Sequence, residues 1–128
     1  MAGAPVATLN AALDAVGSLG GWLSLHTADP GTTGASEVTG GSPAYARKQT
    51  TWGAASAGVK TGSAQTLDIP GARTIGWFGV WTAASGGTFI TSGPLRNAAN
   101  TANITETYTE QGQYALTPKL TADNIAVT

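Results

Sequence analysis

The sequence predicts a mainly β protein, an antiparallel β-sandwich or open barrel with one short N-terminal helix. Short segments in which apolar and polar residues alternate recur along the chain, and turns rich in Gly and Pro separate them. Four tryptophans and 41% hydrophobic residues supply a core that a disordered chain lacks. With 128 residues, the chain is predicted to be a single domain, with a helical arm over residues 1–20 and a β domain over residues 21–128.

The helix is predicted over residues 6–16, because apolar side chains recur there at helical spacing from Val6 to Val16. Thr8 is the predicted N-cap, since its hydroxyl can accept a hydrogen bond from a backbone amide of the first turn. Gly17 is the predicted end of the helix, because glycine favours helix C-termini.

The first strand is predicted over residues 22–27. Leu23 and Leu25 fall on one face of that strand, and Ser24 and His26 fall on the other. Later strands are predicted over residues 44–52, 58–68, 74–83, 88–92, 104–109 and 114–120.

Two features of the later strands predict how they pair. The segment 74–83 is apolar on both faces, which is typical of a central strand, and Trp77 and Trp81 are expected in the core. Ser85-Gly86-Gly87 predicts a hairpin from that strand into 88–92. Gln111-Gly112 predicts that the last two strands form a pair as well.

Residues 28–43 are predicted to form a long loop, because glycines and prolines are frequent there and large apolar anchors are almost absent. A loop beyond about 12–15 residues in a compact domain is usually functional. We therefore expect a partner-contact site here. The candidate residues are Asp29, Pro30, Gly31, Thr32, Thr33, Gly34 and Glu37.

Composition argues against several classes of function. The net charge is −1 and the six Lys and Arg residues are scattered, so we expect no nucleic-acid partner. The chain has no apolar run of about 18 residues and no basic N-terminal segment, so neither a membrane span nor a secretion signal is expected. Without cysteine it has neither disulfides nor thiolate metal ligands, and we expect no cofactor.

One cluster has residue types found in hydrolases, namely Ser24, His26 and Asp29. A nucleophilic serine usually sits on a strained turn, and the Gly-x-Ser-x-Gly motif is absent, so we expect no catalytic site and no enzyme. His26 is instead expected to donate to a loop carbonyl or to Asp29. A metal site of His26, Asp29 and Glu37 is the less favoured alternative to a turn in which Asp29 caps its own backbone.

Three stretches of the chain resemble a family of small tailed-phage proteins usually described as phage tail fibre or minor tail proteins. They are LSLHTADPGTTGASE (residues 23–37), YARKQ (residues 45–49) and IGWFGVWTAASGGTF (residues 75–89). The resemblance implies a non-enzymatic structural protein exposed on the virion, which is assembled in the host cytoplasm. It implies other virion proteins, of the tail or the capsid, as partners.

Two alternatives stay open beside the tail role: a capsid decoration protein that stabilises the head exterior, and a receptor- or glycan-binding module. The glycan alternative predicts exposed aromatic side chains near the 28–43 loop. The uncharged, Thr- and Gly-rich surface suits a homo-oligomer, with a trimer as the first expectation. Residues 1–16 are expected to pack on a neighbouring subunit or on the virion, so that their removal leaves a folded domain that no longer assembles.

Overall fold

The computed structural model describes residues 3–126, which form one α-helix, ten short strands and one 3-10 turn. This arrangement confirms the predicted mainly β fold with an N-terminal helix. The helix α1 spans Val6–Leu19, and the 3-10 turn η1 spans Ala122–Ile125. The strands are β1 (Trp22–His26), β2 (Lys48–Gln49), β3 (Lys60–Thr61), β4 (Gln65–Ile69), β5 (Arg73–Ile75), β6 (Trp77–Trp81), β7 (Phe89–Pro94), β8 (Glu106–Tyr108), β9 (Gly112–Leu116) and β10 (Lys119–Leu120).

A four-stranded antiparallel sheet lies at the centre of the fold, with the order β2-β1-β6-β7. In its register Leu25 lies opposite Phe78, and Ser24 lies opposite Gly79. The predicted hairpin between the two most apolar segments is confirmed, because β6 pairs with β7. Strand β6 has neighbours on both edges and is buried over four of its five residues, as its sequence predicts.

Strands β4, β5, β8 and β9 form one long antiparallel ribbon, and β3 pairs separately with β10. Residues 65–75 lie beside residues 106–116 in a single register, from Gln65 opposite Leu116 to Ile75 opposite Glu106. The prediction that the last two strands pair with each other is therefore wrong. The 109–111 segment is a bend within the ribbon, where Gly71 comes so close to Glu110 that an added Cβ would lie 3.1 Å from the Glu110 Cα.

The chain passes from the ribbon into the central sheet at Gly76, between β5 and β6. Its amide donates to the His26 carbonyl and its carbonyl accepts from Leu95, so the backbone stays paired while the partner strands change. A strand that switches sheets at a bend is a common way to form the corner of a β-sandwich. The segment predicted as one strand over 74–83 therefore contains two consecutive strands, β5 and β6, which belong to different sheets.

The hydrophobic core lies between the central sheet and the ribbon. From the central sheet it takes one face of β1 and β6, which carries the aliphatic residues of the alternating pattern. Leucines and an isoleucine of the ribbon cover that face. The fully or almost fully buried members are Leu23, Leu25, Phe78 and Val80 on the sheet and Leu67, Ile69, Leu116 and Leu120 on the second layer.

The helix differs from the prediction at both ends. It begins after Pro5, which is the N-cap in place of Thr8, because proline already has the backbone angle that a helix start needs. The helix continues through Gly17 to Leu19, and Gly20 is its C-cap residue. A Cβ at Gly17 would overlap the end of the Lys60 side chain, so a larger residue there would force that side chain to move.

The helix also packs on its own domain. Leu13 is fully buried in the core, and the Lys60 ammonium group lies 2.7 Å from the Asp14 carboxylate. The expectation that residues 1–16 pack on a neighbour is therefore wrong for this face, and we expect removal of the helix to destabilise the domain. Val6 and Leu19 remain exposed.

Among residues 3–126, no helix is long and apolar enough to cross a membrane.

Candidate functional site

The predicted contact loop connects β1 to β2 and folds back over the central sheet. Its ends are joined to each other and to β1, because the Thr27 amide donates to the Ser36 carbonyl at 3.1 Å and the Val38 amide donates to the Leu25 carbonyl at 3.0 Å. Glu37 lies opposite His26 as an isolated bridge, so the first strand is extended on its edge by the end of the loop. The loop therefore has a defined backbone path.

The tip of the loop combines exposed and buried positions. Asp29, Gly31, Thr32 and Thr33 are exposed, as a contact site requires. Gly34 is buried against the Trp81 ring, with no space there for a side chain. The two remaining candidates are the fully buried Pro30 and the half-buried Glu37. Large apolar anchors are few, as predicted: apart from the buried Val38, the loop is held by a proline, a glycine and a carboxylate.

Arg47 holds the loop in place. Its Nε and one Nη donate to the two carboxylate oxygens of Glu37, each at 2.9 Å. Its other Nη donates to the carbonyls of Ala83 and Gly86, which belong to the turn between β6 and β7. The guanidinium carbon lies 3.8 Å from the centroid of the Trp81 ring. Planar pairing to a carboxylate together with stacking on an aromatic ring is a role that lysine cannot take.

Tyr45 completes this cluster, which we call the Arg47 lock (Glu37, Tyr45, Arg47 and Trp81). The Tyr45 hydroxyl donates to Glu37 Oε2 at 2.8 Å and accepts from the Leu25 amide at 3.1 Å. Burial and the neighbouring Glu37 charge raise the pKa of Tyr45 far above its ordinary value. Burial opposes ionisation of Glu37, but the hydrogen bonds from Arg47 and Tyr45 outweigh it and hold the Glu37 pKa below its usual range.

A second network lies beneath the loop. Trp81 Nε1 donates to Ser24 Oγ at 2.8 Å, Ser24 Oγ is 2.7 Å from His26 Nε2, and His26 Nδ1 is 2.7 Å from the Ala35 carbonyl. Since a carbonyl can only accept, Nδ1 carries the ring proton and Nε2 accepts from the serine. The pKa of His26 is lowered mainly by burial, which favours this neutral tautomer.

The hydrogen bonds of Ser24 and His26 indicate that these two candidate catalytic residues have a structural role. Ser24 and His26 do form a hydrogen-bonded pair, but both are fully buried, and the serine oxygen is already bonded to Trp81. His26 donates to a loop carbonyl, as predicted, whereas Asp29 lies apart and accepts from the Gly31 amide at 2.9 Å. A substrate cannot reach the Ser24 hydroxyl in this arrangement.

The three residues of the alternative metal site, His26, Asp29 and Glu37, do not form a metal site either. Glu37 is occupied by Arg47 and Tyr45, Asp29 by the backbone of Gly31, and both ring nitrogens of His26 by protein partners. Among residues 3–126, no group of three His, Cys, Asp or Glu side chains could hold a metal ion.

Residues 9–117 match the family model described as podophage GP4 fiber I protein gp80. The chain belongs to this family of phage fibre proteins. The match covers most of the chain, and the chain is accordingly a structural component of a phage virion. The curated proteins contain no match to it.

The three sequence stretches that resemble phage tail proteins meet at the loop of this fibre protein. The first supplies Glu37 to the Arg47 lock, the second supplies Tyr45 and Arg47, and the third supplies Trp81 with the Ala83 and Gly86 carbonyls. Sequence reasoning missed Tyr45 and Arg47 as functional residues. The sequence signal that could have indicated them is the scarcity of charge. Only 10% of residues are charged, and two of these, Glu37 and Arg47, form an ion pair.

The loop tip of the fibre protein borders a groove of about 350 Å³ that has both apolar and polar residues in its wall. Gly31 and Thr32 line it from the loop, and the C-terminal end of α1 lines it from the other side. Leu19, which is 61% exposed, stands at this groove. Strand β7 and the turn η1 form the rest of the wall. Their apolar lining residues are Phe89, Ile90, Ile125 and Ala126.

Proposed function

We propose that the protein is a non-enzymatic tail fibre or minor tail component, exposed on the particle and assembled in the host cytoplasm. The observation that supports this proposal is the match of residues 9–117 to a fibre protein family. The chain itself is a compact β module without a shaft repeat, so its role within a fibre is that of a globular part.

The geometry fits a module that presents a rigid contact surface. The Arg47 lock and the His26 network fix the 28–43 loop, so its exposed tip loses little conformational freedom when it binds. A pre-organised loop on a stable sheet is a common way to place binding residues.

Location on the particle can be tested with a gold-tagged antibody against this protein and electron microscopy of purified virions. We expect label confined to the tail. Label spread over the head would overturn the tail role and support a capsid decoration protein. Virions that lack the protein, labelled in the same way, provide the control for antibody specificity.

The proposed partner surface is the groove between the loop tip and α1, and the proposed occupant is a second copy of this chain, in a closed homo-oligomer. The exposed Leu19 side chain stands at the edge of the groove, so one surface carries both an apolar protrusion and a concavity that could receive it. Of the described residues that line the groove, only Asp123 is charged, and the net charge of the chain is only −1, so two copies meet with little repulsion. A patch that carries both a protrusion and a groove can pair with the same patch of a second copy about a two-fold axis, whereas a ring needs two different patches.

Two substitutions test the groove from its two sides: Leu19→Ser removes the knob, and Thr32→Glu adds a charge at the loop tip. Sedimentation of the wild type should show an oligomer, and both variants should shift it towards monomer by at least about tenfold in dissociation constant. Val6→Ser is the matched control, since Val6 is 55% exposed on the same helix and does not line the groove. A monomeric wild type, or an unchanged oligomer in both variants, would contradict this interface.

A further inference from the structure

A second groove lies on the other side of η1, between the 96–103 segment and the end of the ribbon. Its volume is about 430 Å³, and a smaller cavity of about 200 Å³ adjoins it, because Phe78, Arg96 and Lys119 line both. Cavities that hold small ligands usually fall between about 300 and 1,000 Å³. The polar side chains of the main groove are Arg96, Asn97, Asn100, Glu106, Tyr114, Thr117 and Lys119.

One wall of this groove is fixed in advance. The Arg96 guanidinium donates to Asn103 Oδ1 at 2.7 Å and to the Asn100 carbonyl at 3.1 Å. The backbone of the same segment closes on itself, because the Asn97 amide donates to the Ala102 carbonyl at 3.0 Å. Guanidinium has five N–H donors, so some remain for a ligand.

The opposite wall offers polar groups that the protein leaves unused. Within residues 3–126, the Lys119 ammonium group, the Glu106 carboxylate and the Tyr114 hydroxyl have no side-chain hydrogen bond or ion pair. Tyr114 is half-buried, and its pKa is raised by burial and by the nearby Glu106 charge. Donors and acceptors without a protein partner therefore line a cavity that also has Phe78 and Tyr114 in its wall.

Charge and polarity narrow the class of ligand. The cations Arg96 and Lys119 outnumber the single carboxylate Glu106 in the main groove, but Asp123 in the adjoining cavity brings the sum over both spaces to zero, so neither an anion nor a cation is favoured overall. An apolar ligand would leave these polar groups without partners, which costs free energy. A neutral polyhydroxyl ligand can donate to the carboxylate, accept from the cations and lay its C–H face on an aromatic ring.

From this juxtaposition we infer that the groove of Arg96, Asn97, Glu106, Tyr114 and Lys119 binds one or two units of a neutral saccharide. The inference stands apart from the assembly role, because it concerns a different groove and a ligand that the isolated protein can bind. It also places the glycan site in this groove rather than near the 28–43 loop, where the sequence predicted it. Of the two aromatic residues that lie against Gly34 of the 28–43 loop, Trp81 is only 9% exposed and Phe89 is half-buried, so neither is the fully exposed aromatic predicted near that loop.

The experiment is an NMR titration of the full ¹⁵N-labelled chain with glucose, galactose, rhamnose and N-acetylglucosamine, and with inorganic phosphate as the anionic probe. At least one neutral sugar should shift the amide signals of residues 96–100 and 114–119 saturably, with a dissociation constant on the order of 1 mM. Tyr114→Leu and Lys119→Met should weaken that binding by about tenfold or more.

Lys48→Met is the matched control for Lys119→Met, because it removes the same charge from the edge strand β2, away from this groove. It should leave the titration unchanged. Circular dichroism of each variant establishes that it is folded, and the Lys119 variant keeps the test valid should the Tyr114 variant unfold. The inference is overturned if none of the four sugars shifts these signals, if phosphate alone does, or if the shifts fall on the 28–43 loop.

Discussion

The two faces of the central sheet are both buried, but by different physical means. One face packs aliphatic side chains against the ribbon, with Leu23 and Leu25 fully buried. The other face carries Ser24 and His26, equally buried, under the 28–43 loop. Among residues 3–126, no buried side-chain nitrogen or oxygen lacks a hydrogen-bond partner. A face with polar residues at alternate positions can therefore be as deeply buried as an apolar one when every polar group is paired.

The two faces also differ in what they contribute. The apolar face gains free energy in proportion to the area it removes from water, and many side chains could supply that area. On the polar face each hydrogen bond contributes only about 1 kcal/mol net, but loss of one partner leaves another buried group unpaired. We therefore expect the apolar face to set global stability and the polar face to fix one conformation of the loop.

The largest effect is expected on the apolar face. Leu25→Ala deletes a fully buried side chain and leaves a cavity, so the free energy of unfolding should fall by about 2–5 kcal/mol. Urea denaturation followed by tryptophan fluorescence measures this change. A loss below about 1 kcal/mol would mean that this face is not the principal core.

The next largest effect is expected from the Arg47 lock. Arg47→Met removes the cation from a pair in which the Arg47 side chain is 8% exposed and Glu37 is 21% exposed, leaving Glu37 without its main partner. The free energy of unfolding should fall by about 3 kcal/mol.

Arg73→Met is the control for this variant. Arg73 donates only to nearby carbonyls at 3.3 Å, so its replacement should change the free energy of unfolding by less than about 0.5 kcal/mol. Equal losses in the two variants, again by urea denaturation, would argue against the lock.

A smaller loss is expected for the network under the loop. Ser24→Ala leaves the Trp81 indole N–H and His26 Nε2 without their shared partner, which should cost about 1–3 kcal/mol. The exposed pair Thr74–Thr107 offers a comparison, because Thr74→Ala removes a hydroxyl whose partner can turn to water. Thermal unfolding of the two variants should therefore separate them, and a Ser24→Ala protein as stable as the Thr74→Ala protein would contradict the network.

The smallest effect is a pH dependence that arises from His26. Burial lowers its pKa in the folded protein, whereas in the unfolded chain the pKa lies near 6.5. The unfolded state therefore binds a proton first as the pH falls below about 6.5, and stability decreases from there down to the folded-state pKa. Melting temperatures at pH 7.5 and 5.5 should show this loss, and His26→Gln should remove it. A stability that rises on acidification over this range would contradict the buried neutral histidine.

Much of the apolar face could be predicted from the sequence. Alternation of Leu23 and Leu25 and the apolar segment that contains Phe78 predicted β1, β6 and the hairpin to β7, because hydrophobic period and turn chemistry are local signals. The long ribbon was not predicted. Its pairing joins residues about forty positions apart. The Gln-Gly turn signal between β8 and β9 instead predicted that these two neighbouring strands pair with each other, which is wrong.

The polar face was predicted only in part: the bond from His26 to a loop carbonyl was expected, but the rest of its network was not. The spacing of Ser24 and His26 placed them on one strand face, but their partners Trp81 and Ala35 come from elsewhere in the chain. The Arg47 lock gives no periodic signal, since a single charge pair ten residues apart defines it. The partner-contact role of the loop remains a prediction, whereas its rigid attachment is a property that only the folded arrangement shows.

Amide hydrogen exchange tests most directly the central claim that the polar face fixes the 28–43 loop. The amides of Thr27, Val38 and Tyr45 are bonded to carbonyls of the loop or of β1, so they should exchange within about tenfold of the rates of β6 amides. In the Arg47→Met variant these three should lose protection while β6 keeps it. Exchange of the three amides at unprotected rates in the wild type would contradict the account.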